Sequence, residues 1–185
     1  MEPAAKTTRW YVITGAPSSG ITTLACALKP YADRVFPEIA RAYLDRGIKR
    51  GRTVAELRKD EAAFQKEVLM LKLGRERRAR RDKLYIFERG VPDSIAYFKI
   101  TGLDAGTVKA DIFRYRKVFY LDPLEYHRDY ARTETNEIRD VLSRLLFSSY
   151  SDLGYEVIRV PAVSVEERVR MVLSHLEGSA AAALG

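Results

Sequence analysis

Cysteine occurs once in this chain of 185 residues, at Cys26, and histidine twice, at His127 and His175. A lone cysteine excludes an internal disulfide framework and fits a reducing compartment, so a cytoplasmic location is expected. So few thiols and imidazoles do not make the usual zinc donor set. No apolar run approaches the ~18 residues of a membrane-spanning helix, and the opening MEPAAKTTRW lacks the apolar stretch of a secretory leader. Disorder is excluded as well, since 46% of the residues are hydrophobic against 31% charged. The length suits one domain that buries roughly 70% of its unfolded surface without staples.

Acidic charge is the minority: 25 Asp and Glu face 32 Lys and Arg, a net of +7. The excess is local. Residues 72–83 (KLGRERRARRDK) hold seven basic and two acidic side chains, whereas residues 84–185 are slightly acidic. A basic balance admits phosphates, nucleic acid or acidic lipid and does not choose among them.

Short β-branched and aromatic runs alternate with helical patterns. Residues 10–13, 34–36, 84–87, 118–121 and 157–160 read as strands. Helices are expected over residues 21–28, closed by Pro30, over 38–45, stopped by Gly47, and over 91–100 and 139–153. Thr53-Val54-Ala55-Glu56 and Ser164-Val165-Glu166-Glu167 are capping boxes. The first is expected to open one long helix with the stripe Leu57, Phe64, Val68 and Leu71, running into the basic segment. The alternation predicts an α/β fold of three layers around about five parallel strands. The expected limits are a flexible stretch at 1–8, one domain over 9–177 with a polar lid near 122–137, and a fraying tail at 178–185.

The sharpest motif is Gly15-Ala16-Pro17-Ser18-Ser19-Gly20-Ile21-Thr22-Thr23, between the first strand and first helix. It matches the phosphate loop G-x-x-x-x-G-K-[ST] except at the lysine, which is Ile21. Its glycines admit close approach of backbone to phosphate, and Thr22 stands where a hydroxyl ligates Mg²⁺. Isoleucine supplies neither charge nor donor to the β- and γ-phosphates. Three readings stay open: nucleotide binds weakly or not at all, a basic group elsewhere (Arg89, Arg128 or Arg132) substitutes, or an ordinary lysine has been replaced by engineering. A turn that binds no ligand is the bland alternative.

Further segments follow the strands in a definite order: FPEIAR from Phe36, FERGVPDSIAY from Phe87, YHRDYARTE from Tyr126, Leu153-Gly154-Tyr155 and Val160-Pro161. Together with the loop, roughly residues 9–177 resemble the small AAA-type P-loop ATPases related to the ribosylnicotinamide kinase domain of NadR. The chain is more distantly similar to deoxynucleoside kinases. The resemblance implies the strand order 2-3-1-4-5, counting the five strands above. It also implies a kinase that passes the γ-phosphoryl of ATP or GTP, with Mg²⁺, to a hydroxyl of a nucleoside-like molecule. Carried over residue by residue, Glu38 would accept the hydroxyl proton and Arg41 and Asp93 would face substrate. Glu88 would hold Mg²⁺ with Thr22, and Arg89, Arg128 and Arg132 would grip phosphate.

Each of these has a plainer reading. Glu38 serves equally as an acid at a helix start, Glu88 and Arg89 as a surface pair, Asp93 as a helix cap, and Arg128 and Arg132 as a solvated face. Tyr97 and Tyr126 read as packing residues and Cys26 as core. Residues 72–83 read either as a solvated helix end or as a surface for an anionic partner: lipid, protein or nucleic acid. Two other functions remain at this level: a nucleotide-sensing module without turnover, suggested by Ile21, and a kinase of nucleic-acid ends, suited by the basic run.

Overall fold

The computed structural model describes residues 6–110, 113–124 and 136–176. Lys6–Thr7 form a short strand, β1, inside the stretch expected to precede the domain. Trp10–Gly15 is β2, buried along its whole length. The phosphate-loop residues lead into helix α1, Ile21–Ala27. β3 is Arg34–Phe36 and α2 is Ile39–Ile48, so the helix runs through Gly47 rather than stopping before it.

The expected long helix is two helices. The Thr53–Glu56 capping box forms, but α3 is only Val54–Leu57. The Asp60 side chain then accepts the Ala63 N–H at 2.9 Å and caps α4, Glu61–Arg78. A second cap three residues past the first turn restarts the helix in a new direction, because Asp competes for backbone N–H groups where it stands.

β4 is Tyr85–Glu88, α5 Asp93–Ile100, β5 Phe113–Arg114 and β6 Lys117–Leu121. Asn136–Ser151 form α6, Val157–Val160 β7, and Val165–Leu173 α7, the last opened by the second capping box. The main sheet has the order β3-β4-β2-β6-β7 with every pair parallel, as the resemblance implied. β1 and β5 form a separate parallel pair.

Both faces of the sheet are covered, which is why its strands read as unbroken apolar runs. On one face Tyr11 and Ile13 of β2 pack with Leu24 and Leu28 after the loop and with Val172 and Leu173 of α7. On the other, Trp10 and Val12 pack with Phe87, Tyr115 and Tyr150. Cys26 is exposed, against expectation. The buried positions of α1 are Leu24 and Ala25, and a residue two beyond Leu24 points to the opposite side of a helix. Among the described residues, no helix is long and apolar enough to cross a membrane.

This topology gathers the signal-bearing segments. β2, β3 and β4 are parallel neighbours, so the phosphate loop, Glu38 and Glu88-Arg89 all emerge at their carboxyl ends, where open α/β sheets hold ligands.

Candidate active site

The phosphate loop keeps a conformation that costs backbone energy. Ser18 and Gly20 lie in the left-handed region at φ 67° and 82°. Glycine adopts this freely, but a serine there costs about 1–2 kcal/mol. The Thr22 hydroxyl donates to Glu88 Oε2 at 3.0 Å, so the two proposed metal ligands meet although 66 residues separate them. Burial pushes the Glu88 carboxyl upward, the Thr22 hydrogen bond opposes it, and the nearby Glu38 charge adds to the rise. Ile21 lines the cleft at the loop and leans on the core behind it.

Arg89 also has a left-handed backbone, φ 60°, held by its N–H donating to the Ile13 carbonyl at 3.0 Å. The twist sends the side chain into the cleft, where Nε donates to Glu38 Oε1 at 3.0 Å and Nη1 to Asp93 Oδ1 at 3.3 Å. Burial works against this guanidinium, but Tyr97, Glu38 and Asp93 outweigh it and raise its pKa. Strain at a residue gripped from two sides is a common mark of functional positions.

Asp93 is fully buried and has no exposed face toward the cleft. Besides Arg89 it accepts the Gly90 N–H at 2.8 Å, the Tyr150 hydroxyl at 2.5 Å and the Thr14 hydroxyl. In this structure it reaches the cleft only through Arg89. Glu38, at the N-cap of α2, makes no side-chain capping bond. Its carboxylate turns to Arg89 while it stands at the start of the helix, so a place at the helix start and a contact in the cleft are both present.

The basic run changes meaning. Lys72 is 2% exposed and lines the cleft, with Nζ 3.3 Å from Ser94 Oγ. Desolvation lowers its pKa to about 8 although Asp93 pulls the other way. Arg75 donates to the Pro37 carbonyl at 2.7 Å and to the Arg89 carbonyl at 3.3 Å, and its guanidinium lies over the Phe36 and Phe87 rings. It thereby ties together the two chain segments that deliver Glu38 and Arg89. Farther along, Arg80 pairs with Asp82 and Lys83 with Asp33 at the surface. Lys72 and Arg75 are thus drawn inward while Arg77, Arg78, Arg80 and Arg81 stay exposed at the end of α4 and just beyond it, and nothing supports an anionic partner there. The signal was present in the sequence: the stripe of Phe64 and Val68 continues at i+4 steps to Lys72 and Glu76, placing two charged residues on the buried face of α4.

Glu76 is 3% exposed and accepts the Tyr115 hydroxyl at 2.7 Å. Desolvation raises its pKa from 4.5 to about 7, against the pull of Tyr115 and Arg75. Between those two values the folded protein holds a proton that the unfolded chain has released. Stability from this group is therefore full below about pH 4.5 and is lost as pH rises through about 7. Glu76→Gln is expected to remove that slope. At pH 8 the variant should be more stable than the parent by up to about 3 kcal/mol, with no difference near pH 4.5. Denaturant titrations of both proteins across pH 4–8 check this, and a parent that gains on the variant as pH rises contradicts it.

A partly open cleft lies between the phosphate loop and the helices α2 and α4. Its walls bring together Glu38, Arg41, Arg89 and Thr22 from the sequence reading. They add Arg58, Gln65, Lys72 and Tyr97, which that reading passed over as sites. Tyr97 lies 5.8 Å beneath the Arg89 guanidinium. Arg128 and Arg132, with Tyr126 and His127, lie outside the described residues.

A five-stranded parallel sheet of this order, with a phosphate loop at the end of its central strand, defines a P-loop domain of the nucleoside-kinase type. The AAA domain family (AAA_28) matches residues 10–168, and the chain belongs to that family. Among curated proteins none matches the chain.

Solved structures agree on the fold. Deoxyadenosine kinase from M. mycoides with bound dATP superposes with a TM-score of 0.66 at 15% identity, covering 91% of this chain and 99% of that one. Thymidylate kinase from Candida albicans gives 0.62 at 12% identity, with 93% and 92% covered. NadR protein in complex with NR gives 0.61 at 16% identity; there 93% of this chain spans 52% of the other.

Proposed function

We propose that this protein is a small-molecule kinase, transferring the γ-phosphoryl group of ATP or GTP to a hydroxyl of a nucleoside-like acceptor. The observation that carries the reading is the convergence of two pairs on one cleft: Thr22 with Glu88, and Glu38 with Arg89. The first pair suits Mg²⁺, since a hydroxyl and a carboxylate are hard oxygen donors and this ion keeps much of its water when bound by few protein groups. Bound there, the ion would neutralise charge on the phosphates.

The second pair suits the acceptor. The substrate oxygen attacks the γ-phosphorus, its bond to the β-γ bridging oxygen breaks, and the nucleoside diphosphate leaves. The hydroxyl proton passes to the Glu38 carboxylate, which Arg89 orients by its bond to Oε1. The rest of the Arg89 guanidinium offers a fixed charge to the group in transfer. Asp93 acts here as the support of Arg89. Arg41 lines the same cleft and stands on the acceptor side. Arg128 and Arg132 are assigned to the phosphates from the other side by resemblance alone. An exposed, unpaired Cys26 accords with a cytoplasmic setting.

The test is a screen of nucleosides and related alcohols with ATP or GTP and Mg²⁺, using the parent protein and Ile21→Lys in parallel. Transfer to one acceptor class is the expected result, faster in the variant because a lysine adds the usual charge at the β- and γ-phosphates. Two folded proteins without turnover on any acceptor would sink the kinase reading. Binding without transfer would favour the sensing module instead.

A further inference from the structure

The phosphate loop lacks its lysine, yet a cation is fastened to its outer side. Arg168 of α7 is 2% exposed. Its Nη1 donates to the Ser19 carbonyl at 2.7 Å and its Nε to the Pro161 carbonyl at 2.9 Å. Its Nη2 is buried with no hydrogen-bond partner, and so is the Ser19 hydroxyl of the loop itself. Native proteins seldom leave such groups unpaired, since each costs about 1–3 kcal/mol.

Among the described residues no carboxylate in contact balances the charge. The acid whose field reaches Arg168 is Asp122, and Asp122 already accepts Arg159 Nε at 3.1 Å and Nη2 at 2.6 Å. A buried charge held against neutral carbonyls is an expensive feature to keep for packing alone.

The fit against the loop is close. A Cβ added at Gly20 would lie 3.1 Å from Arg168 Nη1, so the guanidinium rests on the bare Cα of the loop's last glycine. The carbonyl that Arg168 grips and the Gly20 N–H belong to one peptide unit. Among the described residues that N–H donates to no carbonyl. Pulling electron density toward the carbonyl end of a peptide strengthens its N–H as a donor.

Resting on the nucleotide-binding reading above, we propose that Arg168 supplies from outside the phosphate loop the positive charge that Ile21 does not supply from within. It does so through the Ser19–Gly20 peptide, fixing the loop and sharpening the Gly20 N–H toward a bound phosphate chain. It is a positioning residue, acting on phosphate through the backbone. The ligand class it favours is a nucleoside di- or triphosphate over the bare nucleoside.

The experiment is titration calorimetry of ATP, ADP and adenosine, and of GTP, GDP and guanosine, against the parent, Arg168→Gln and Arg168→Lys, each with and without Ile21→Lys; what is expected of the adenine series holds for whichever base binds. Glutamine keeps a donor and loses the charge; lysine keeps the charge. Arg168→Gln should weaken ATP and ADP about tenfold or more and leave adenosine unchanged, the size of one charge-assisted hydrogen bond. Arg168→Lys should recover part of the loss. Ile21→Lys should strengthen ATP binding more in the Arg168→Gln background than in the parent, because both cations serve the same phosphates.

Equal losses for ATP and adenosine would mean a mere brace, and unchanged ATP binding would mean no role; either overturns the proposal while nucleotide binding by the parent stands. A folded parent that binds none of ATP, ADP, GTP and GDP overturns the nucleotide reading itself and the proposal with it.

Discussion

Glu38→Gln is expected to lower the rate of phosphoryl transfer by roughly 10²- to 10⁴-fold in a protein that stays folded, with a smaller loss of stability than at Asp93 because Glu38 is the more exposed of the two partners of Arg89. The size follows from what the side chain does and does not do. It makes no capping bond to α2, so the helix loses no hydrogen bond when the charge goes, only the weak attraction of a carboxylate to the helix start. Its tie to the protein is Oε1 accepting from Arg89 Nε, a bond that a glutamine oxygen also accepts. What the amide cannot do is take the proton of the attacking hydroxyl. The loss should therefore fall on kcat, with KM for the acceptor changing a few-fold at most. Steady-state kinetics on the acceptor found in the screen separate the two. A variant that retains full kcat removes Glu38 from the chemistry.

Asp93→Asn produces the other large effect, and it is expected in stability first. Four groups converge on this buried carboxylate: the Arg89 guanidinium, the Gly90 N–H, and the hydroxyls of Tyr150 and Thr14. The amide keeps the shape but presents two hydrogens where only donors point inward. It also leaves the 5%-exposed Arg89 with Glu38 as its remaining carboxylate partner among the described residues. Removing one side of a buried ion pair typically costs about 3–5 kcal/mol, and that is the expected fall in unfolding free energy by denaturant titration. Activity should fall as well, since Arg89 is the group that Asp93 holds. A loss below about 1 kcal/mol would show that Asp93 is a spectator.

The frame of the molecule was legible because its signals are local. The buried strands read as short apolar runs, the loop as its glycines and hydroxyls, and both capping boxes formed where Thr53 and Ser164 stand. The strand order came from resemblance and matched. The misses at the site share one physical cause, charged residues expected at the surface that are buried, whereas Cys26 and the break between α3 and α4 are misses of helix phase and capping. Lys72, Arg75 and Glu76 were read within a basic surface, and Arg168 was not marked at all, yet each occupies a helix position facing inward. Their burial depends on partners brought from distant segments, such as Ser94, Pro37, Tyr115 and Ser19. Spacing within α4 hinted at the first three; nothing near Arg168 in sequence announces the phosphate loop 149 residues away.

The buried charges beneath the cleft have a consequence for how this protein would respond to selection. Lys72 and Glu76 are held in ionisation states or surroundings that burial opposes, and well-packed apolar replacements at such places often raise stability. A library screened for heat tolerance alone would therefore be drawn to the floor of the cleft. Its winners would be sturdier chains that lack the Lys72 ammonium in the cleft wall and the Glu76 carboxyl one turn further along α4. On the kinase reading, endurance and ligand binding would then compete for Lys72.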